Sequence, residues 1–158
     1  MTWDPKLDEM LSELEKDDRL GDQIAVVQDI SDGSWDDGRT RKDIHLILST
    51  ARDFKIRLTL SQPQIKTKAE VSQLTSGVRS GIRLNLQLLK QLHEFYGVSY
   101  QEIESKLPFG THLGVKVIPD PDKKTGKMYV RIGALKPLAE VRAQLAGQPA
   151  SAASEIPF

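Results

Sequence analysis

The chain has 158 residues, 39% of them hydrophobic, with 22 basic and 22 acidic side chains and no cysteine. That length holds one domain with short arms and a core that needs no covalent staple. The absence of cysteine excludes a disulfide framework, a thiol nucleophile and thiolate-ligated zinc or iron–sulfur centres. No apolar run is long enough to cross a bilayer, and the opening MTWDPKLDEM lacks the apolar segment of a secretory signal. A cytoplasmic protein is expected.

The balanced total hides segregated charge. Residues 1–22 carry a balance of −5, residues 23–137 carry +6, and residues 138–158 carry −1. A basic middle between acidic ends suggests a surface for a polyanion, although for any single cluster a solvated charged face is the commoner explanation.

Asp4 and Pro5 open a helical pattern with Leu7, Met10, Leu11 and Leu14 on one stripe, and Gly21 follows its end. This acidic amphipathic helix, residues 1–21, is expected to pack on the domain or on a partner. From Asp22 the period changes to two, with Ile24, Val26, Gln28 and Ile30 on one face. Ser31-Asp32-Gly33 then reads as a break, and residues 32–39 as a loop carrying Trp35. A second strand has Ile44, Leu46 and Leu48 on its apolar side. A third has Phe54, Ile56, Leu58 and Leu60, opposed by Lys55 and Arg57. Phe54, beside a turn, fits either a core position or a stacking one.

Residues 68–96 read as one long helix that Gly77 or Gly81 bends, capped by Gly97. Its leucine stripe reads as core packing or a subunit interface. Ser99 with Glu102 forms a capping box for a short helix, Tyr100 to Leu107. Two more strands follow. Leu113, Val115 and Val117 face one way in the first, and Met128, Val130 and Ile132 do so in the second, around a turn at 120–127. Residues 138–146 are expected to form a terminal helix, and residues 147–154 a flexible small-residue linker. Three strands, a helical insertion at 68–107 and two strands is the element order of an OB-fold. The fold class is therefore α+β: a five-stranded OB-like barrel over residues 22–146, with an N-terminal helix and a flexible C-terminal tail.

If the more apolar side of each strand faces the interior, the outward set is His45, Lys55, Arg57, His112, Lys116, Tyr129 and Arg131, opposed only by Asp43. The flanking loops add Trp35, Arg39, Arg41 and Lys42 at one hairpin and Lys123, Lys124 and Lys127 at the other. Cations that follow phosphates and flat side chains that stack on bases are what a single-strand binder needs. Any soluble strand turns Lys and Arg outward, so the weight rests on the ensemble. Acidic residues in the same loops (Asp32, Asp36, Asp37, Asp120 and Asp122) count against it.

The last four residues, Glu155-Ile156-Pro157-Phe158, read as a compact apolar plug with an acidic edge, suited to a pocket rimmed by Arg or Lys. With the small-residue linker before them, they resemble the acidic Ile-Pro-Phe tip of bacterial single-stranded DNA-binding proteins. The chain as a whole looks like the phage-encoded members of that class. The resemblance implies an OB-fold that protects exposed single strands in the host-cell cytoplasm, and a tip that recruits replication, recombination and repair proteins. The chain departs from the usual pattern in having one acidic residue at the tip, a long helical insertion and an acidic N-terminal helix.

Nothing in the sequence calls for an enzyme, a cofactor or a metal. His45, His93 and His112 have no carboxylate at ligand or triad spacing. The expected partners are single-stranded DNA, or RNA on the same stacking platform, together with replication and recombination proteins at the tip. A homo-oligomer is compatible with the sequence, and a membrane is not expected as a partner. The rival reading is an adaptor or inhibitor that docks on host replication or repair proteins through its tail and binds no DNA.

Overall fold

A computed structural model of the chain describes residues 3–15 and 18–146. The fold is α+β. Helix α1 (Pro5–Glu15) precedes strands β1 (Gly21–Ser34), β2 (Thr40–Leu48) and β3 (Phe54–Ser61). Helices α2 (Lys68–Ser72), α3 (Ser76–Tyr96) and α4 (Ile103–Lys106) come next. Strands β4 (His112–Pro121) and β5 (Met128–Lys136) and helix α5 (Leu138–Ala146) complete it. The strands form one sheet in the order β3-β2-β1-β4-β5, with every pairing antiparallel. Among the described residues no helix is long and apolar enough to cross a membrane.

The core lies between the concave side of this sheet and the helices. Leu46, Leu48, Leu60, Leu113 and Val115 from the strands meet Leu92, Ile103 and Leu107 from the helical segment, all fully buried. Burying a side chain of this size contributes about 1.5–3 kcal/mol.

Strand β1 departs from the alternation expected of it. Gln23, Ala25 and Val27 face inward, while Ile24 and Val26 are only half-buried. A bulge between Val27 and Asp29 shifts the register by one residue and brings Ile30 back against the core. An inward Gln23 is tolerated because its amide is satisfied: Nε2 donates to the carbonyls of Asp18 at 2.8 Å and Leu20 at 3.0 Å, and Thr50 donates to its Oε1.

Ser31-Asp32-Gly33 does not break the strand. These residues pair with Asp43, Lys42 and Arg41, so the connection shrinks to residues 35–39. Arg41 and Lys42 therefore stand on β2 rather than in a loop. The long helix expected over 68–96 is divided, at 73–75 and not at a glycine. Thr75 takes an extended conformation (φ −67°, ψ 157°) as the N-cap of α3, and Gly77 and Gly81 lie inside that helix. The Ser99–Glu102 capping box forms as the spacing predicts, over a 3-10 turn that runs into α4.

Helix α3 lies against both edge strands. The Asn85 side chain accepts from the Ser61 amide at 2.8 Å and donates to the Ser61 carbonyl at 2.9 Å, completing the end of β3. Gln91 accepts from the Leu135 amide at 2.8 Å. The Tyr96 hydroxyl donates to the Lys136 carbonyl at 2.5 Å and accepts from the Gly114 amide at 2.6 Å. Edge groups that would otherwise invite another strand are thereby partly covered, and β3 and β5 themselves come into contact.

Candidate nucleic-acid interface

The outward residues of β2 are Arg41, Asp43, His45 and Ile47, and the register sets them opposite Ser61, Thr59, Arg57 and Lys55 of β3. The sequence places these residues on two strands; the pairing orders them into one row, about 20 Å long at strand spacing. Trp35 joins the row at its end, where its Nε1 donates to Ser61 Oγ at 2.9 Å.

Arg41 is the most constrained member. It stands opposite Gly33, and its guanidinium lies over the Trp35 ring, 4.6 Å from the centroid. Its Nε donates to Asp43 Oδ2 at 3.3 Å. The Thr59 hydroxyl donates to the other Asp43 oxygen at 2.7 Å. Burial pushes the Asp43 carboxyl up, but the Thr59 hydroxyl, Arg41 and the nearby Arg57 outweigh it and hold the group below its ordinary value. Asp43 is thus a structural anchor for Arg41, where the sequence suggested a lone opposing charge. His45 Nε2 is 3.0 Å from Ser31 Oγ.

Beyond His45 the face opens into a cleft of about 690 Å³ lined by Gln28, Asp29, His45, Ile47, Lys55 and Arg57. Lys55 and Arg57 are exposed, and among the described residues neither closes an ion pair. A second hollow of about 320 Å³ lies between Trp35, Arg39, Ser61 and the Asn85 turn of α3. Trp35 keeps 40% of its surface exposed beside it.

Lys42 is placed differently from its expected role. It points to the opposite side of β2 from Arg41 and His45, and its ammonium meets Asp32 and Glu104, each at 2.5 Å. Those two carboxylates raise its pKa, and Lys42 in turn lowers that of Asp32. Its side chain is 19% exposed. Arg39 is likewise held, with Nε on Asp37 Oδ2 at 2.8 Å. Phe54 packs against the core with the Arg19 guanidinium 5.0 Å from its ring centroid, so the core option applies.

The β4–β5 residues form a separate group. Lys116, Tyr129 and Arg131 are exposed on the strands, with Lys123, Lys124 and Lys127 on the hairpin. The Lys127 ammonium sits 5.3 Å from the Tyr129 ring centroid. Asp122 shapes that turn by accepting from the Lys124 amide and the Thr125 hydroxyl, each at 2.9 Å. The register pairs Gly21 with Val117 and Val26 with His112. The 122–127 turn therefore projects past the start of β1, whereas the Trp35 turn lies past its end. The two loops do not converge. His112 is exposed at the start of β4 and bonds the Gly110 carbonyl at 3.0 Å.

Ser31, Gly33, Thr59 and Ser61 belong to the site and were missed in the sequence; their only signal is cross-strand pairing. The linker 147–154 and the Glu155–Phe158 tip lie outside the described residues. Among the described residues no group of three or more His, Asp or Glu could hold a metal ion. No family model matches the chain, and no curated protein matches it.

Proposed function

We propose that the chain binds single-stranded DNA without sequence preference, through the outer face of β2 and β3 of an OB-like barrel. The strand order β3-β2-β1-β4-β5, with the helical segment between β3 and β4, supports the barrel. So does α3, which bridges the two edges. In an OB-fold the β2–β3 face is where oligonucleotides lie.

The observation that carries the reading is the row from Trp35 through Arg41, His45 and Arg57 to Lys55. It offers one indole held by a hydrogen bond, a guanidinium already over its ring, and two exposed cations, Arg57 and Lys55, about 13 and about 20 Å of strand away. Cations neutralise successive phosphates, and the indole and guanidinium planes stack on bases. The β4–β5 cations Lys116, Lys123, Lys124, Lys127 and Arg131, with Tyr129, extend the path for a longer strand. On this reading the chain protects exposed single strands in the cytoplasm of a bacterial host, and the Glu155–Phe158 tip docks on replication and recombination proteins.

The double variant Trp35→Ala/Arg57→Ala tests it. Both side chains are exposed, so the fold should survive, as circular dichroism would verify. Strand affinity should fall by at least tenfold. Unchanged affinity would remove the β2–β3 face from the mechanism. An absence of strand binding in the parent chain would favour the adaptor that acts through its tail.

A further inference from the structure

Among the described residues, two apolar surfaces are left without a partner, and their charges are opposite. Along α1, Leu7, Met10 and Leu11 share one stripe at helical spacing and are 44%, 59% and 48% exposed, with Trp3 62% exposed at its start. The surrounding residues are acidic: residues 3–15 contain five carboxylates against the single Lys6. Asp4 Oδ1 caps the helix by accepting from the Lys6 amide at 2.9 Å.

The second surface is a groove of about 700 Å³ between residues 63–66 and helices α2 and α3. Ile65, Val71, Leu74, Ile82 and Leu86 form its walls. Ile65 is fully exposed and Leu86 is 45% exposed. Its charged lining is entirely basic: Lys66, Arg79, Arg83 and Lys90. Among the described residues Lys90 has Glu94 at 3.7 Å, and Lys66 lies near enough to Glu70 to help lower its pKa.

We infer that the acidic helix α1 of one copy lies apolar face down in this basic groove of a second copy, and that two copies exchange helices in a symmetric dimer. An amphipathic helix in an apolar groove is a common recognition mode, with anchors at i, i+3, i+4 and i+7. Here Leu7, Met10 and Leu11 supply the first three. The carboxylates beside them face Arg79 and Arg83 across the rim.

Geometry selects a second copy over the helix's own groove. The chain leading from α1 is fixed at the start of β3, where Asp18 meets Arg52 at 3.4 Å and Arg19 covers Phe54. The groove begins past the other end of β3, at Pro63. Eight strand residues, about 26 Å, separate those ends. From Glu15 to Arg19 the chain spans at most about 14 Å, and the helix from Glu15 back to Leu7 adds about 12 Å. Even a fully stretched linker therefore brings only the Leu7 end of the stripe to the near edge of its own groove, and in the structure no residue of α1 lines that groove. A reciprocal exchange uses each surface once and closes the assembly.

Sedimentation equilibrium on the full chain tests this, independently of strand binding. The parent chain should be a dimer. Leu7→Asp/Leu11→Asp on the helix and Arg79→Glu/Arg83→Glu on the groove should each be monomeric. All four side chains are exposed, so the variants should fold. Mixed in equal amounts, the two variants retain one intact helix and one intact groove, and should form a heterodimer that neither forms alone. A parent chain that stays monomeric, a variant that stays dimeric, or a mixture that does not associate would each overturn the inference.

Discussion

Arg41 crosses Gly33 so closely that a Cβ on Gly33 would stand 2.7 Å from the Arg41 Nε. The absence of that carbon lets the guanidinium sit over the Trp35 ring and reach Asp43. The displaced atoms belong to the far end of a flexible side chain, so Gly33→Ala should cost under about 1 kcal/mol of stability. It should nevertheless move Arg41 off the indole, lower strand affinity severalfold and change Trp35 fluorescence. Parallel urea melts and strand titrations would check both halves.

Lys42 and Arg57 make opposite predictions from the same kind of residue. Lys42 spans Asp32 and Glu104 and faces away from the row. Lys42→Ala should lower stability by about 1 kcal/mol, the scale of partly exposed pairs, and leave strand affinity within twofold. Arg57→Ala should do the reverse. Comparing the two variants in melts and titrations separates structural cations from binding ones.

Gly114 is a stability position. A Cβ there would meet the Lys136 carbonyl oxygen at 2.7 Å and Val141 Cγ2 at 2.8 Å. Val141 is fully buried, so neither neighbour yields easily. Gly114→Ala should destabilise the fold by about 1–3 kcal/mol, read as a lower thermal midpoint. Strand affinity of the remaining folded protein should not change.

Acid should loosen the segment that carries α4. Glu102 is held at about 2 by Lys106, then by the Ser99 hydroxyl and amide, below an ordinary 4.5. A carboxylate with a depressed folded-state pKa contributes fully above its unfolded value, and the contribution disappears as pH falls through the folded one. The deficit of Glu102→Gln relative to the parent should therefore be constant at neutral pH and shrink between about 4.5 and about 2. Urea midpoints measured across that range would show it.

Local features were legible in the sequence. The Ser99–Glu102 box and the Gly97 cap (φ +67°) depend on residues within one turn, so spacing alone reveals them. The outward placement of Lys55, Arg57, Lys116 and Arg131 followed from simple alternation. The inner face of β1 did not, because the bulge at Val27/Asp29 inverts the parity. The fate of Lys42 was also hidden, since its partner Glu104 lies 62 residues away. Nor does composition reveal that Trp35 and Arg41 stack, or that the β4–β5 cations form a separate group; both follow from register.

The most direct measurement is fluorescence anisotropy of a labelled oligo-dT titrated with the full chain at two salt concentrations, with a duplex of equal length as control. The account predicts tight binding to the single strand, weak binding to the duplex and a steep loss of affinity with salt. Lys55→Ala/Arg57→Ala should reduce the logarithmic salt slope by roughly 1.4, about 0.7 for each single-strand phosphate that is no longer neutralised. Equal affinity for duplex and single strand, or no binding at low salt, would contradict it.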